Sequence, residues 1–169
     1  WALPISRVRE RPLSLIKYSP EVIVYILNDG GERICLKQFC YPHFWGRMKE
    51  HFRRSKGLKS WMAANGMRAR GIPSLKPLAL VERKNWSGLK ESFLFMEALA
   101  DDQEMDRYIL KGFEDLNKKR LFIKTFARWL DGLHKRSLFH RDMKTCNILV
   151  SERGETWDFH LLDFEDLLM

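Results

Sequence analysis

Three features of the chain predict an α+β fold of two unequal lobes. Its first hundred residues alternate short apolar runs with turn residues, an amphipathic stretch begins at Asn117, and two short apolar runs close the sequence. Leu13-Ser-Leu-Ile-Lys-Tyr18 and Val22-Ile-Val-Tyr-Ile-Leu27 flank Ser19-Pro-Glu21, the pattern of a hairpin. Asn28-Asp-Gly-Gly31 is a strong turn signal, and Arg33-Ile-Cys-Leu-Lys-Gln-Phe39 supplies a third strand. The opening is therefore an antiparallel meander. A basic helical segment follows to about Arg70, where Gly71-Ile-Pro73 ends it. Pro77 to Glu82 reads as a strand, Lys84 to Lys90 as a polar loop, and Ser92-Phe-Leu-Phe-Met96 as a buried strand. Asp101 and Asp102 are suited to capping a helix start. Beyond Asn117, residues Leu121, Phe122, Thr125, Phe126, Trp129, Leu130 and Leu133 recur at three- and four-residue steps, one face of a long helix. Ile148-Leu-Val150 and Phe159-His-Leu-Leu162 are the closing strands.

Composition bounds the class. With 45% apolar and 31% charged residues over 169 positions, the chain has the make-up of a soluble globular protein. No apolar run approaches the ~18–20 residues that span a bilayer. The chain opens on Trp1 without the basic-then-apolar layout of a signal peptide, and so reads as a fragment. Cys35, Cys40 and Cys146 are odd in number and lack zinc-ligand spacing, which predicts a reducing compartment and no metal–thiolate site. Thirty Lys and Arg against 22 Asp and Glu give a net charge of +8, which attracts phosphates, anionic lipid headgroups or nucleic acid. The densest basic cluster, Arg47, Lys49, Arg53, Arg54, Lys56 and Lys59, is interleaved with Phe44, Trp45, Phe52 and Trp61, a mixture suited to RNA or to a membrane interface.

The chemistry concentrates in His140-Arg-Asp-Met-Lys-Thr-Cys-Asn147, between the long helix and a strand. It fits the pattern H-R-D-x-K-x-x-N of a kinase catalytic loop, in which the Asp receives the proton of the acceptor hydroxyl and the Asn holds a metal ion. Asp142 and Asn147 stand at the required five-residue spacing. Asp163, at the end of the apolar run Leu161-Leu162, occupies the place of the metal-binding Asp-Phe-Gly element, with Glu165 where the glycine would be. An Asp there chelates Mg²⁺ across the β- and γ-phosphates of ATP. Upstream, Ile34-Cys-Leu-Lys37 has the shape of V-A-I-K, whose strand lysine reaches the α- and β-phosphates. Phe95-Met-Glu97-Ala-Leu99 leaves a buried strand where a kinase hinge offers a carbonyl at Glu97 and an amide at Leu99 to adenine.

These residues resemble the lipopolysaccharide kinase (Kdo/WaaP) family, a bacterial branch of the protein-kinase-like fold. The resemblance runs from the Lys37 strand to Asp166. Its more diagnostic parts are Arg68-Ala-Arg-Gly-Ile-Pro-Ser-Leu-Lys-Pro-Leu-Ala-Leu-Val-Glu-Arg83 and Phe139 through Val150. It implies a two-lobed kinase fold, with an antiparallel β N-lobe over residues 1–99 ending in the hinge and a partial, mainly helical C-lobe over 100–169. It implies ATP-dependent phosphorylation of a sugar hydroxyl in the lipopolysaccharide core, at the cytoplasmic face of the inner membrane. The basic segment from Arg47 to Lys59 adds the expectation of peripheral contact with anionic membrane, and no specific nucleic acid is expected. The departures are concrete. No G-x-G-x-x-G precedes Lys37, and Ser19-Pro-Glu21 fills the first hairpin turn. The helical segment before Gly71 offers Lys59, Ser60 and Asn65 where kinases place a glutamate for the strand lysine, with Glu50 the nearest acid upstream. Met169 stands six residues past Asp163, before the helices that would complete the lower lobe.

Three other readings remain open on the sequence. Lys144 inside the catalytic loop favours a protein Ser/Thr kinase. The missing glycine-rich loop and helix glutamate favour a pseudokinase that binds nucleotide or a partner. An RNA-binding module explains the charge but not the catalytic loop.

Overall fold

The structure is a computed structural model that describes residues 13–29, 32–41, 54–86, 88–98, 103–164 and 167–168. The chain divides into two compact units, residues 1–61 with 76–98 and residues 62–75 with 99–169.

The first unit is a five-stranded antiparallel sheet. Its strands are β1 (Leu13–Tyr18), β2 (Val22–Asp29), β3 (Glu32–Cys40), β4 (Pro77–Asn85) and β5 (Gly88–Glu97), in the order β1-β2-β3-β5-β4. The predicted meander is present: β1 coincides with its predicted run, and β2 and β3 reach a residue or two past theirs. Period-two alternation sends Tyr25, Leu27, Ile34, Leu36, Phe93 and Phe95 to one face, where Leu27, Leu36 and Phe93 form a buried cluster. The polar loop expected over Lys84 to Lys90 is instead a tight hairpin, with Asn85 opposite Gly88. Polar composition misled there because β4 is an edge strand: its outer half is wet, and Arg83, Lys84 and Asn85 extend the ladder without being buried.

Helix α1 (Lys56–Ala69) begins in the first unit. Ser55 caps it, its Oγ accepting from the Leu58 N–H at 2.9 Å while donating to Glu82 Oε1 at 2.5 Å. The helix stops where Gly71 and Pro73 predict. Gly71 sits at φ 66°, its N–H bonding the Arg68 carbonyl and the Ile72 N–H bonding the Met67 carbonyl, a Schellman closure sealed by the buried pair Met67 and Ile72. Of the basic cluster, Arg54 and Lys59 are exposed and Lys56 is half-buried against Glu21 at 2.9 Å, whereas Arg47, Lys49 and Arg53 lie outside the described residues. The expected caps Asp101 and Asp102 also lie outside them.

The second unit packs helices on short strands: β6 (Gln103–Glu104), α2 (Met105–Leu110), α3 (Leu116–Lys135), β7 (Phe139–His140), a 3₁₀ turn (Thr145–Asn147), β8 (Ile148–Arg153), β9 (Thr156–Leu161) and β10 (Leu167–Leu168). Strands β6, β8 and β9 form one sheet, and β7 pairs with β10. Residues 62–75 group with this unit, Ser74 bridging to Leu161 of β9. The long helix starts one residue before Asn117, capped by Asp115, whose carboxylate accepts from the Lys118 N–H at 2.7 Å. Its apolar face meets β9 through aromatic rings: Phe122 stacks on Tyr108 at 5.3 Å and meets Trp157 edge-on at 5.4 Å, while Phe126 and Trp129 both contact Phe159. The stripe is narrower than the periodicity implied, since Leu121 is exposed.

A polar clamp lies beside these rings. Trp157 Nε1 donates to the Tyr108 hydroxyl at 2.5 Å, which donates to Glu152 Oε2 at 2.8 Å, and Lys118 bridges Glu152 at 2.7 Å and Glu114 at 2.8 Å. The Lys118 ammonium and the Tyr108 hydroxyl hold the Glu152 carboxyl below its ordinary value of 4.5. A lowered carboxylate contributes stability that is whole above its unfolded value and disappears as pH falls through the folded one. Thermal melts should therefore lose stability below about pH 4.5, and Glu152→Gln should flatten that acid limb while lowering the melting temperature at neutral pH. A parallel acid limb in the variant would show that Glu152 has no such role.

Gly57 gives a second test, because two effects of opposite sign compete there. Alanine is better than glycine in a helix by ~1 kcal/mol. A Cβ on Gly57, however, would stand 2.5 Å from Ser92 Oγ, 2.9 Å from Ser92 Cβ and 3.1 Å from Leu80 Cδ1. Ser92 is fully buried on the interior strand β5, so the clash should win, and Gly57→Ala should destabilise by about 1–3 kcal/mol in denaturant melts. A stabilised variant would show that the sheet yields to the methyl group.

Candidate active site

The catalytic-loop candidates are brought together in the second unit by the turn that ends α3. Ser137 takes φ 56°, its N–H bonds the His134 carbonyl and the Leu138 N–H bonds the Leu133 carbonyl. This is the same closure as at Gly71, built without glycine and sealed by buried Leu133 and Leu138. It turns the chain directly into β7 and His140.

His140 is buried and uses both ring nitrogens. Nδ1 accepts from the Asp142 N–H at 3.1 Å, so it carries no hydrogen. The ring hydrogen is therefore on Nε2, which donates to the Asp163 carbonyl at 2.9 Å and lies 3.2 Å from that of Leu162. One imidazole thus ties the catalytic loop to the loop after β9. Asp163 itself is held at φ 59°, a conformation that costs a non-glycine residue on the order of 1 kcal/mol or more and that this bond to its carbonyl helps to maintain.

Asp142 is the centre of the loop. Lys144 Nζ lies 2.7 Å from its Oδ1 and 2.9 Å from its Oδ2. That bond and the carboxylate charge, with smaller help from Asp163, hold the Lys144 ammonium above its ordinary value. Asn147 is buried and donates through Nδ2 to the Asp142 carbonyl at 2.9 Å and towards Oδ2 at 3.4 Å. Its backbone carbonyl accepts from the Leu162 N–H at 2.8 Å, which stitches the 3₁₀ turn to the end of β9. With the amide nitrogen committed to Asp142, the Asn147 Oδ1, which accepts only a weak bond from the Cys146 thiol at 3.8 Å, is the end suited to act as a ligand.

Asn147 Oδ1 and the Asp163 carboxylate are hard oxygen donors, two in number. No group of three or more His, Cys, Asp or Glu able to hold a metal occurs among the described residues. Two oxygens suit Mg²⁺, which keeps waters and relies on substrate phosphates, and would not make a protein cage for a transition metal.

The remaining candidates belong to the first unit. Lys37 is half-buried on β3 between Val24 and Leu94 of the neighbouring strands, its ammonium 5.0 Å from the centre of the Phe39 ring. Helix α1 contains no carboxylate, so the glutamate that kinases place opposite this lysine does not come from it. Glu97 is the last residue of β5 and is exposed, and Leu99 lies outside the described residues. Cys35, beside Lys37, has its thiol pushed up to about 11 by burial, so it is an inert thiol rather than a nucleophile.

Sequence reading assigned no role to His140 and missed the Tyr108–Glu152–Lys118 clamp. The first was within reach, since a histidine two residues before a catalytic Asp can bond that residue's N–H. The second had no signal, because its members are separated by up to 44 residues and meet only in the fold.

Among solved structures, the chain is similar to one described as WaaP in complex with acyl carrier protein, at a TM-score of 0.65 and 16% identity over 98% of this chain. At that identity the likeness is one of fold, and it gives this chain a kinase-like α+β fold. The chain spans 66% of that protein's length. No curated protein matches it. The family model described as lipopolysaccharide kinase (Kdo/WaaP) matches residues 45–166, which include Asp142, Lys144, Asn147 and Asp163. With most of its length matched by that model, the chain belongs to the lipopolysaccharide kinase (Kdo/WaaP) family.

Proposed function

We propose that this chain is the nucleotide-binding and catalytic part of an ATP-dependent kinase that phosphorylates a sugar hydroxyl of the lipopolysaccharide core. The observation that carries the proposal is the Asp142 carboxylate, held by Lys144 and Asn147 in a loop that His140 fastens to Asp163. Residues 1–99 then act as the N-lobe and 100–169 as part of the C-lobe of a two-lobed kinase. The membrane-embedded acceptor implies work at the cytoplasmic face of the inner membrane, with peripheral contact to anionic lipid.

In this reading Asp142 orients the acceptor hydroxyl and receives its proton as the oxygen attacks the γ-phosphorus. Lys144 supplies positive charge beside the transferring phosphoryl group, and its raised pKa keeps it cationic across the physiological range. Asn147 Oδ1 and the Asp163 carboxylate hold Mg²⁺. When bound, the metal neutralises charge on the β- and γ-phosphates. Lys37 pairs with the α- and β-phosphates, and the backbone at Glu97 and Leu99 receives adenine.

Two substitutions separate base from nucleotide clamp. Asp142→Asn should cut turnover by ~10²–10⁴-fold while leaving ATP affinity nearly unchanged. Lys37→Met should lose productive ATP positioning as well as rate. The assay is phosphate transfer to purified lipopolysaccharide core, with casein as the competing acceptor. Parent-like transfer by Asp142→Asn would refute the mechanism, preference for casein would favour the protein-kinase reading, and ATP binding without transfer to anything would favour a pseudokinase.

Mg²⁺–ATP should also raise the melting temperature by mass action, and Asp163→Asn should remove most of that rise. An undiminished shift in the variant would remove Asp163 from the metal site.

A further inference from the structure

We infer that the first unit docks on anionic membrane through one end of its sheet, with Trp86 as the residue that enters the lipid interface. Two independent observations point there. The first is charge. Unit one holds sixteen Lys and Arg against eight Asp and Glu, and unit two holds fourteen against fourteen, so the whole net charge of +8 belongs to the sheet unit. A protein that merely needed solubility would have no cause to segregate it in this way.

The second is the placement of two aromatic side chains. Trp86, at the tip of the β4–β5 hairpin, is 96% exposed, and Tyr18, at the end of β1, is 71% exposed. Register puts both at the same end of the sheet. Tyr18 pairs with Ile23, Val22 with Phe39, Phe39 with Ser92, and Asn85 with Gly88 at the hairpin tip. An indole left almost wholly in water is costly for a folded protein, whereas a bilayer interface takes both its apolar ring and its N–H.

The cations at this tip face outward. Arg83 and Lys84 are more than half exposed, and the carboxylates that pair with them, Glu91 and Glu82, are the more buried partners. Lys90 is exposed on the next strand. An approaching anionic surface therefore meets ammonium and guanidinium groups first, with an indole among them. Nucleic acid would share the charge, but it would need stacking partners in a groove, and a lone ring at a convex hairpin tip is shaped for insertion between headgroups. The inference rests on the kinase reading only for its setting, a membrane-bound acceptor; the surface itself owes nothing to the catalytic loop.

The test is sedimentation with phosphatidylcholine vesicles, with and without phosphatidylglycerol, at low and high salt. Binding should require the anionic lipid and fall with salt. Trp86→Ala should weaken it roughly tenfold, and Lys90→Ala about fivefold. Brominated lipid should quench part of the parent's tryptophan emission, and Trp86→Phe should abolish that part. At 96% exposure, Trp86→Ala should leave the melting temperature unchanged, so loss of binding would not report unfolding. Equal binding to neutral and anionic vesicles, or parent-like binding by Trp86→Ala, would overturn the inference. So would a variant defect confined to homopolymer RNA. Phosphate transfer to detergent-dispersed acceptor should be unchanged in Trp86→Ala, and its loss there would mean a role in the reaction instead of docking. Vesicle binding that persists in a protein without kinase activity would sustain the docking and refute only the kinase reading.

Discussion

The second unit depends on one imidazole. His140 accepts a hydrogen bond from the backbone it precedes and donates one to the backbone of Asp163, 23 residues later. Only a ring with an acceptor on one side and a donor on the other does both, and neither bond survives a change of tautomer. Asp142 and Asp163 are thereby registered through main chain. A direct carboxylate bridge would have consumed the groups that it positioned.

The supports around that bond are of ordinary kinds. The turn after α3 delivers β7, the 3₁₀ turn fixes Asn147, and the β8–β9 hairpin leads from Asn147 back to Leu161. Aromatic packing on α3 holds the hairpin from one side, and the Tyr108–Glu152–Lys118 clamp grips its outer half. Asp163 and Ser137 both adopt left-handed backbone without being glycine, and both flank the catalytic loop. Strain beside reactive residues is tolerable where surrounding bonds over-determine it, and here buried leucines and the His140 bond do so.

Much of this was legible in the sequence because it is local. Alternation marked β1 to β3, Gly71 followed by Pro73 marked the end of α1, and the spacing from His140 to Asn147 singled out the candidate catalytic loop. What was not legible is what depends on partners distant in the chain. The edge position of β4 turned an apparent polar loop into a hairpin, because polarity there marks a wet edge and not an absence of strand. Asp115 was passed over as a cap because the apolar periodicity becomes regular only after it. The buried face of α3 was narrower than its pattern, since Leu121 meets the periodicity but points to solvent.

Charge carries a different kind of information from pattern. A net value of +8 says nothing of where attraction acts until the fold sorts the residues, and the sorting is complete: one unit has all of it and the other none. The neutral unit holds the catalytic loop, where Lys144 balances Asp142 and further positive charge would compete for the carboxylate. The basic unit holds the strand lysine and the exposed indole. The charge that would attract an anionic surface and the carboxylate that could act as a base are thus carried by different units.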